Sequence, residues 1–149
     1  MKNRDVANIW NKHFLDAPYS VGKNSKEDGY DCCSAVFSFY EKIGINITSF
    51  IYNGAEINRN NYLNFWNGSK EDTILLKIWA ESLGKEIKSS FRQTGDLFIC
   101  YFDNSNQYFL SIYLGNNLCS LISSRSNKVK TCPYDMMKNK IYKMIRIES

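Results

Sequence analysis

A chain of 149 residues, 44% hydrophobic and 15% aromatic, can bury one substantial core but hardly two, and it reads as one domain over residues 1–149. Charged residues make up 23% and the formal charge is +4, which argues against global disorder and leaves a basic excess too mild to make nucleic acid the expected partner. No stretch reaches the roughly 18 to 20 apolar residues of a membrane span, and Met1 to Trp10 lacks the apolar run of a signal peptide, so neither a membrane nor the general secretory route is expected.

The first helix is expected over Asn3 to Leu15, with Val6, Ile9, Trp10, His13 and Phe14 near one face and Pro18 beyond its end. A polar loop, Lys23 to Tyr30, precedes a second helix over Asp31 to Ile43, where Asp31 is the expected N-cap and Gly44 the stop. Ile45 to Tyr52 reads as a short strand or extended loop, and Asn53 to Gly68 as an irregular connector. Ser69 with Asp72 suggests a capping box, opening a third helix with Ile74, Leu75, Ile78, Trp79 and Leu83 on one face and Gly84 at its end. After Gly95 the period changes: Leu97 to Phe102, Tyr108 to Leu114, Asn117 to Ser123, Lys128 to Cys132 and Lys140 to Ile147 read as strands of an antiparallel meander. Helices grouped before strands give an α+β domain, the N-terminal helices packed on an antiparallel sheet of about five strands.

Cys32 opens the second helix, where unpaired N–H groups and the positive end of the helix dipole favour a thiolate. It therefore occupies a nucleophile's place. Cys33 is turned about 100° away by the helical register and reads as a core or helix-side residue. The five cysteines show no paired metal-ligand spacing and are expected to be reduced; neither metal nor cofactor is expected. The single histidine, His13, is expected at the core boundary beside Trp10 and Phe14, with relocation to Cys32 as the alternative.

Pro18, Tyr19 and Gly22, then Gly29 to Val36, then Tyr40, Gly44 and Ile45 resemble the NlpC-type cell-wall endopeptidases, a branch of the papain-like cysteine peptidases. In that family a Pro-Tyr-x-x-Gly-Gly loop precedes Asp-Cys-Ser-Gly at the head of the nucleophile's helix. Gly95, Asp96 and Leu97 resemble its Gly-Asp-Leu strand start, and Ile112 to Asn116 the end of its His-Val-Gly-Ile-Tyr-Leu-Gly-Asn segment. The resemblance covers nearly the whole chain. It implies the papain-like NlpC-type fold, with Cys32 as nucleophile, Tyr19 in the pocket beside it, and Asp31, Cys33 and Ser111 lining the binding site.

The departures bear on activity. Aligned without a gap, Phe109 stands where the family has its catalytic histidine, with Leu110 and Ser111 in place of Val-Gly. The neighbourhood of the family's second polar residue is Ser120, Leu121 and Ile122. Cys33 and Ser34 replace Ser-Gly, and Lys23 replaces the second glycine of the tyrosine loop. A phenyl ring cannot take the thiol's proton or return it to a leaving amine. The expected function is therefore a catalytically impaired NlpC-like protein serving as a structural or binding component of a phage tail or virion, its partners being other proteins of that assembly. The alternatives are an active cysteine hydrolase of peptidoglycan peptides with a nonstandard base, and a thiol acyltransferase or cytoplasmic amidase on the same fold. Arg125, Lys128, Lys130, Lys138, Lys140, Lys143 and Arg146 make the last quarter basic and read as a solvated face, with phosphate or cell-wall contact as the alternative; Tyr62, Phe65 and Trp66 are candidate interface anchors.

Overall fold

The structure is a computed structural model that describes residues 3–47, 50–65, 70–101, 107–122 and 127–148. Trp66, Ser69 and Arg125 fall outside the described residues. Helix α1 (Asn3–His13) sets Val6 and Trp10 on one stripe, continued by Phe14, all of them buried. Two short antiparallel strands, β1 (Asn24–Ser25) and β2 (Gly29–Tyr30), lead into α2 (Cys32–Lys42), which is capped by Asp31 and leaves its last turn through Gly44 at φ 85°. Every residue from Cys33 to Tyr40 is buried, so α2 is the central helix, covered on all sides. A small hairpin follows, β3 (Phe50–Tyr52) with β4 (Ala55–Ile57), and then α3 (Lys70–Ser82).

The core stripe of α3 differs from the expected one. Thr73, Leu76, Trp79 and Ala80 are buried, whereas Ile74 is 43% exposed. Apolar residues run almost unbroken from Ile74 to Ala80, so periodicity alone does not choose the face; tertiary packing does.

The main sheet contains six strands in the order β5-β10-β6-β7-β8-β9, all antiparallel. These are β5 (Lys85–Ile87), β6 (Leu97–Tyr101), β7 (Tyr108–Gly115), β8 (Leu118–Leu121), β9 (Lys130–Pro133) and β10 (Ile141–Arg146). Two differences from expectation stand out. Lys85–Ile87 adds an edge strand, and the last strand does not extend the meander but returns to pair with β6. Helix α4 (Tyr134–Met137) carries the chain across the back of the sheet, where Tyr134 and Met137 cover apolar side chains.

Side chains alternate along β7 and divide the interior in two. Leu110, Ile112 and Leu114 join the cluster under the three long helices; Phe109 and Tyr113 join Phe98, Cys100, Cys119, Cys132 and Met144 under α4. The chain is thus an α+β fold with its larger core between helices and sheet. None of the five cysteines is disulfide-bonded, and no helix among the described residues is long and apolar enough to cross a membrane.

Burial of the second cluster raises its thiols, and Cys119 is pushed from 9.0 to about 12 by desolvation first and the neighbouring Cys132 second. The folded chain keeps a proton there that the unfolded chain loses near pH 9, so this contribution to stability is complete below pH 9 and is lost as pH rises towards 12. Urea unfolding should show a midpoint that falls steadily above pH 9, and Cys119→Ala should flatten that slope.

Candidate functional site

The site is assembled where three segments meet at the N-terminus of α2. The first is the loop Pro18 to Gly22, held by Tyr19 N–H to Asn127 O at 2.9 Å and by a bridge between Pro18 and Lys128. The second is β2, whose Tyr30 N–H donates to Pro18 O at 3.0 Å. Gly29 is required at this crossing: its φ is 111°, and a Cβ would lie 2.5 Å from Pro18 O. The third is a 3₁₀ turn, Tyr62–Asn64.

Asp31 joins the three. Its Oδ1 accepts from Ser34 N at 2.7 Å, while Oδ2 accepts from Gly22 N at 2.8 Å and from the Tyr62 hydroxyl at 2.6 Å. Ser34 Oγ accepts from Asp31 N at 3.0 Å in return, which completes a capping box. Both Asp31 and Tyr62 are buried. Burial and the Asp31 charge push the Tyr62 phenol well above its ordinary value, so it remains a donor. Sequence reasoning placed Tyr62 among interface anchors; it is a buried part of the site. Its partner is 31 residues away, which no local signal reports, whereas Ser34 at the third position after the cap was a readable capping signal.

Cys32, the first residue of α2, is partly buried and packs against the helix-side cluster; Cys33 beside it is fully inside. The phenols of Tyr19 and Tyr62 and the thiol of Cys100 are raised by desolvation first, with Cys32 among the further causes. Desolvation first, and then Cys32 and Asp31, push Tyr19 up to about 12, so its phenol keeps its proton at neutral pH. Neither it nor Tyr62 can act as a base there. Both oxygens of Asp31 are already engaged by donors.

His13 closes α1, and its carbonyl accepts from the Tyr30 hydroxyl at 3.4 Å. Its pKa is lowered by desolvation and by Lys42, Lys12 and Lys26, and Lys42 closes the helix that Cys32 opens. Phe109 pairs with Cys100 across β6 and β7 and is buried with it under α4. Ser111 is also buried, donating from Oγ to Ser120 O at 2.6 Å, while Ser120 Oγ accepts from Ile112 N at 2.8 Å. These two hydroxyls tie β7 to β8.

The Gly95-Asp96-Leu97 segment is structural. Asp96 is buried and takes two hydrogen bonds from Arg146, at 3.0 Å each, and Tyr40 on α2 donates to Gly95 O at 2.7 Å. Arg146 is therefore a paired residue and not part of a solvated basic face. Lys143 and Lys128 likewise face Glu81 and Asp16, at 2.8 and 3.6 Å. No group of three or more His, Cys, Asp or Glu among the described residues is arranged to hold a metal ion.

Removing the Asp31 carboxylate would uncap α2, free the Gly22 N–H and leave the buried Tyr62 hydroxyl without its acceptor. Asp31→Ala should cost about 2–4 kcal/mol and Tyr62→Phe about 1 kcal/mol, read from urea unfolding.

The NlpC/P60 family matches residues 16–146, and no curated protein matches the chain. Among solved structures, an NlpC/P60 family protein from Bacillus cereus superposes with a TM-score of 0.64 at 18% identity, over 98% of this chain and 40% of that one. The NlpC/p60 domain of the peptidoglycan hydrolase SagA gives 0.63 at 17% identity, over 99% of this chain and 100% of that domain. The peptidoglycan hydrolase RipB from Mycobacterium tuberculosis gives 0.56 at 19% identity, over 99% and 65%. The chain spans about 40% of the Bacillus cereus protein and the whole of the SagA domain. At these identities the likeness is one of fold. The match over residues 16–146 makes this chain a member of the NlpC/P60 family.

Proposed function

We propose that this chain is a catalytically impaired NlpC/P60 domain that works by holding other molecules, as a structural or binding component of a phage tail or virion. The observation that carries the reading is the residue at the family's histidine position: Phe109 stands there, packed with Cys100 under α4, and the chain's one histidine, His13, closes α1. Among the described residues, the phenols raised in part by Cys32 hold their protons at neutral pH, and both oxygens of the Asp31 carboxylate accept hydrogen bonds. Without an acceptor for the thiol proton and a donor for the leaving amine, turnover falls by about 10⁴ to 10⁶ relative to an intact triad.

The setting rests on the resemblance, and the exposed apolar residues of the β3–β4 hairpin, Ile51 and Tyr52, suit a protein contact there. A peptidoglycan peptide is the alternative ligand, since SagA and RipB are described as peptidoglycan hydrolases. An active hydrolase with a nonstandard base is the competing outcome.

Alkylation separates the two. Cys32 should react with iodoacetamide at neutral pH no faster than a free small-molecule thiol, located by peptide mass spectrometry. A rate ten or more times faster, lost in Cys32→Ser, would mean that an unrecognised group activates the sulfur and would overturn the reading.

A further inference from the structure

Strand β5 pairs with β10 only through Ile87 with Met144, Glu86 with Ile145 and Lys85 with Arg146, although β10 begins at Ile141. After Ile87 the chain leaves the sheet at Lys88 and enters the 3₁₀ turn Ser89–Phe91. On its inner side β10 pairs with β6 along Ile141 to Ile145. On its outer side, no strand among the described residues pairs with Ile141–Lys143. An edge of this kind carries backbone donors and acceptors ready for another strand.

Where β5 would have continued there is instead a cleft of about 910 Å³. Ile87, Ile141, Met144 and Tyr134 give it apolar walls, and Lys88 and Lys138 stand on opposite sides of it, one from the turn after β5 and the other from the turn before β10. Lys88 makes no ion pair among the described residues, and Lys138 has only the exposed Asp135 at 3.6 Å. Lys143 in the same wall is engaged by Glu81 at 2.8 Å, and Glu86 is the one carboxylate lining the cleft. The charge left for a visitor is therefore positive. A bulge at Tyr142 breaks the register with β6 and leans its ring towards Lys77 and Tyr108; an added strand has the roughly 10 Å of Ile141–Lys143, between the start of β10 and its first β5 pair at Met144.

We propose that this edge takes an extended acidic peptide segment of a partner protein. The segment adds to Ile141–Lys143 as a short strand in line with β5, its carboxylates meeting Lys88 and Lys138 and an apolar side chain resting on Ile87 and Met144. The proposal rests on the binding role argued above and names the chemistry of the partner. The cleft shares no residue with the Cys32 site, so an activated Cys32 would refute that role without touching the cleft, and the test below would fail the cleft without touching Cys32.

The test uses the full chain and a blocked hexapeptide of alternating Glu and Val, followed by amide chemical shifts during titration at low and at physiological salt. Expected are shifts concentrated at Ile87, Lys88 and Ile141–Lys143, weaker binding at higher salt, and on the order of ten-fold or greater weakening in Lys88→Glu with Lys138→Glu. A peptide with Pro at its central positions should lose binding, because it lacks the ladder N–H groups. Absence of binding at millimolar peptide, shifts centred elsewhere, or equal binding by the matching Lys and Val peptide would each overturn the proposal. Because both lysines are exposed, the charge-reversed chain should fold normally, and the salt dependence of the unaltered chain gives a second reading of the same point.

Discussion

The Asp31 carboxylate holds the site together. Three donors from three separate parts of the chain converge on it: Ser34 N–H from the helix it caps, Gly22 N–H from the tyrosine loop, and the Tyr62 hydroxyl from the connector. A buried carboxylate is tolerated only when its oxygens are satisfied, so these bonds form together or the charge is stranded. The arrangement fixes the first turn of α2, and with it the Cys32 sulfur and its neighbour Tyr19. The same three bonds give Asp31 an architectural task at the head of the helix.

Much of this was legible in the sequence, and the parts that were not share a cause. The cap at Asp31, the stop at Gly44 and the strands from Leu97 onward follow from local signals: a side chain that accepts from the first turn, a residue able to take positive φ, and β-branched and aromatic runs between turns. The order of strands did not follow. Whether β10 extends the meander or returns to β6 is decided by Tyr134 and Met137 covering the back of the sheet, a contact between distant segments. The buried face of α3 was missed because its apolar residues nearly encircle the helix. Tyr62 was assigned to an interface because nothing near it in sequence announces a partner 31 residues earlier. The basic last quarter reads as one solvated face in sequence, yet Arg146 and Lys143 are engaged by Asp96 and Glu81, and Lys138 lines a cleft at the sheet edge.

Two regions of the fold differ in what they offer. At the N-terminus of α2 the fold holds Cys32 and the tyrosine loop together through the Asp31 cap, while the chain's one histidine closes α1. At the β5–β10 end it offers an incomplete edge lined with apolar side chains and lysine ammonium groups. On the binding role proposed above, the well-capped buried helix keeps the scaffold stable, and the domain meets other molecules through its edges and grooves.

The most direct measurement follows purified muropeptides incubated with the chain and with Cys32→Ala, the products being resolved by mass spectrometry. The account predicts that the two are indistinguishable and that neither releases fragments above the background of buffer alone. Cleavage by the unaltered chain that disappears in Cys32→Ala would contradict it, because it would require a proton acceptor at the sulfur that the geometry around Asp31, Tyr19 and Tyr62 does not supply.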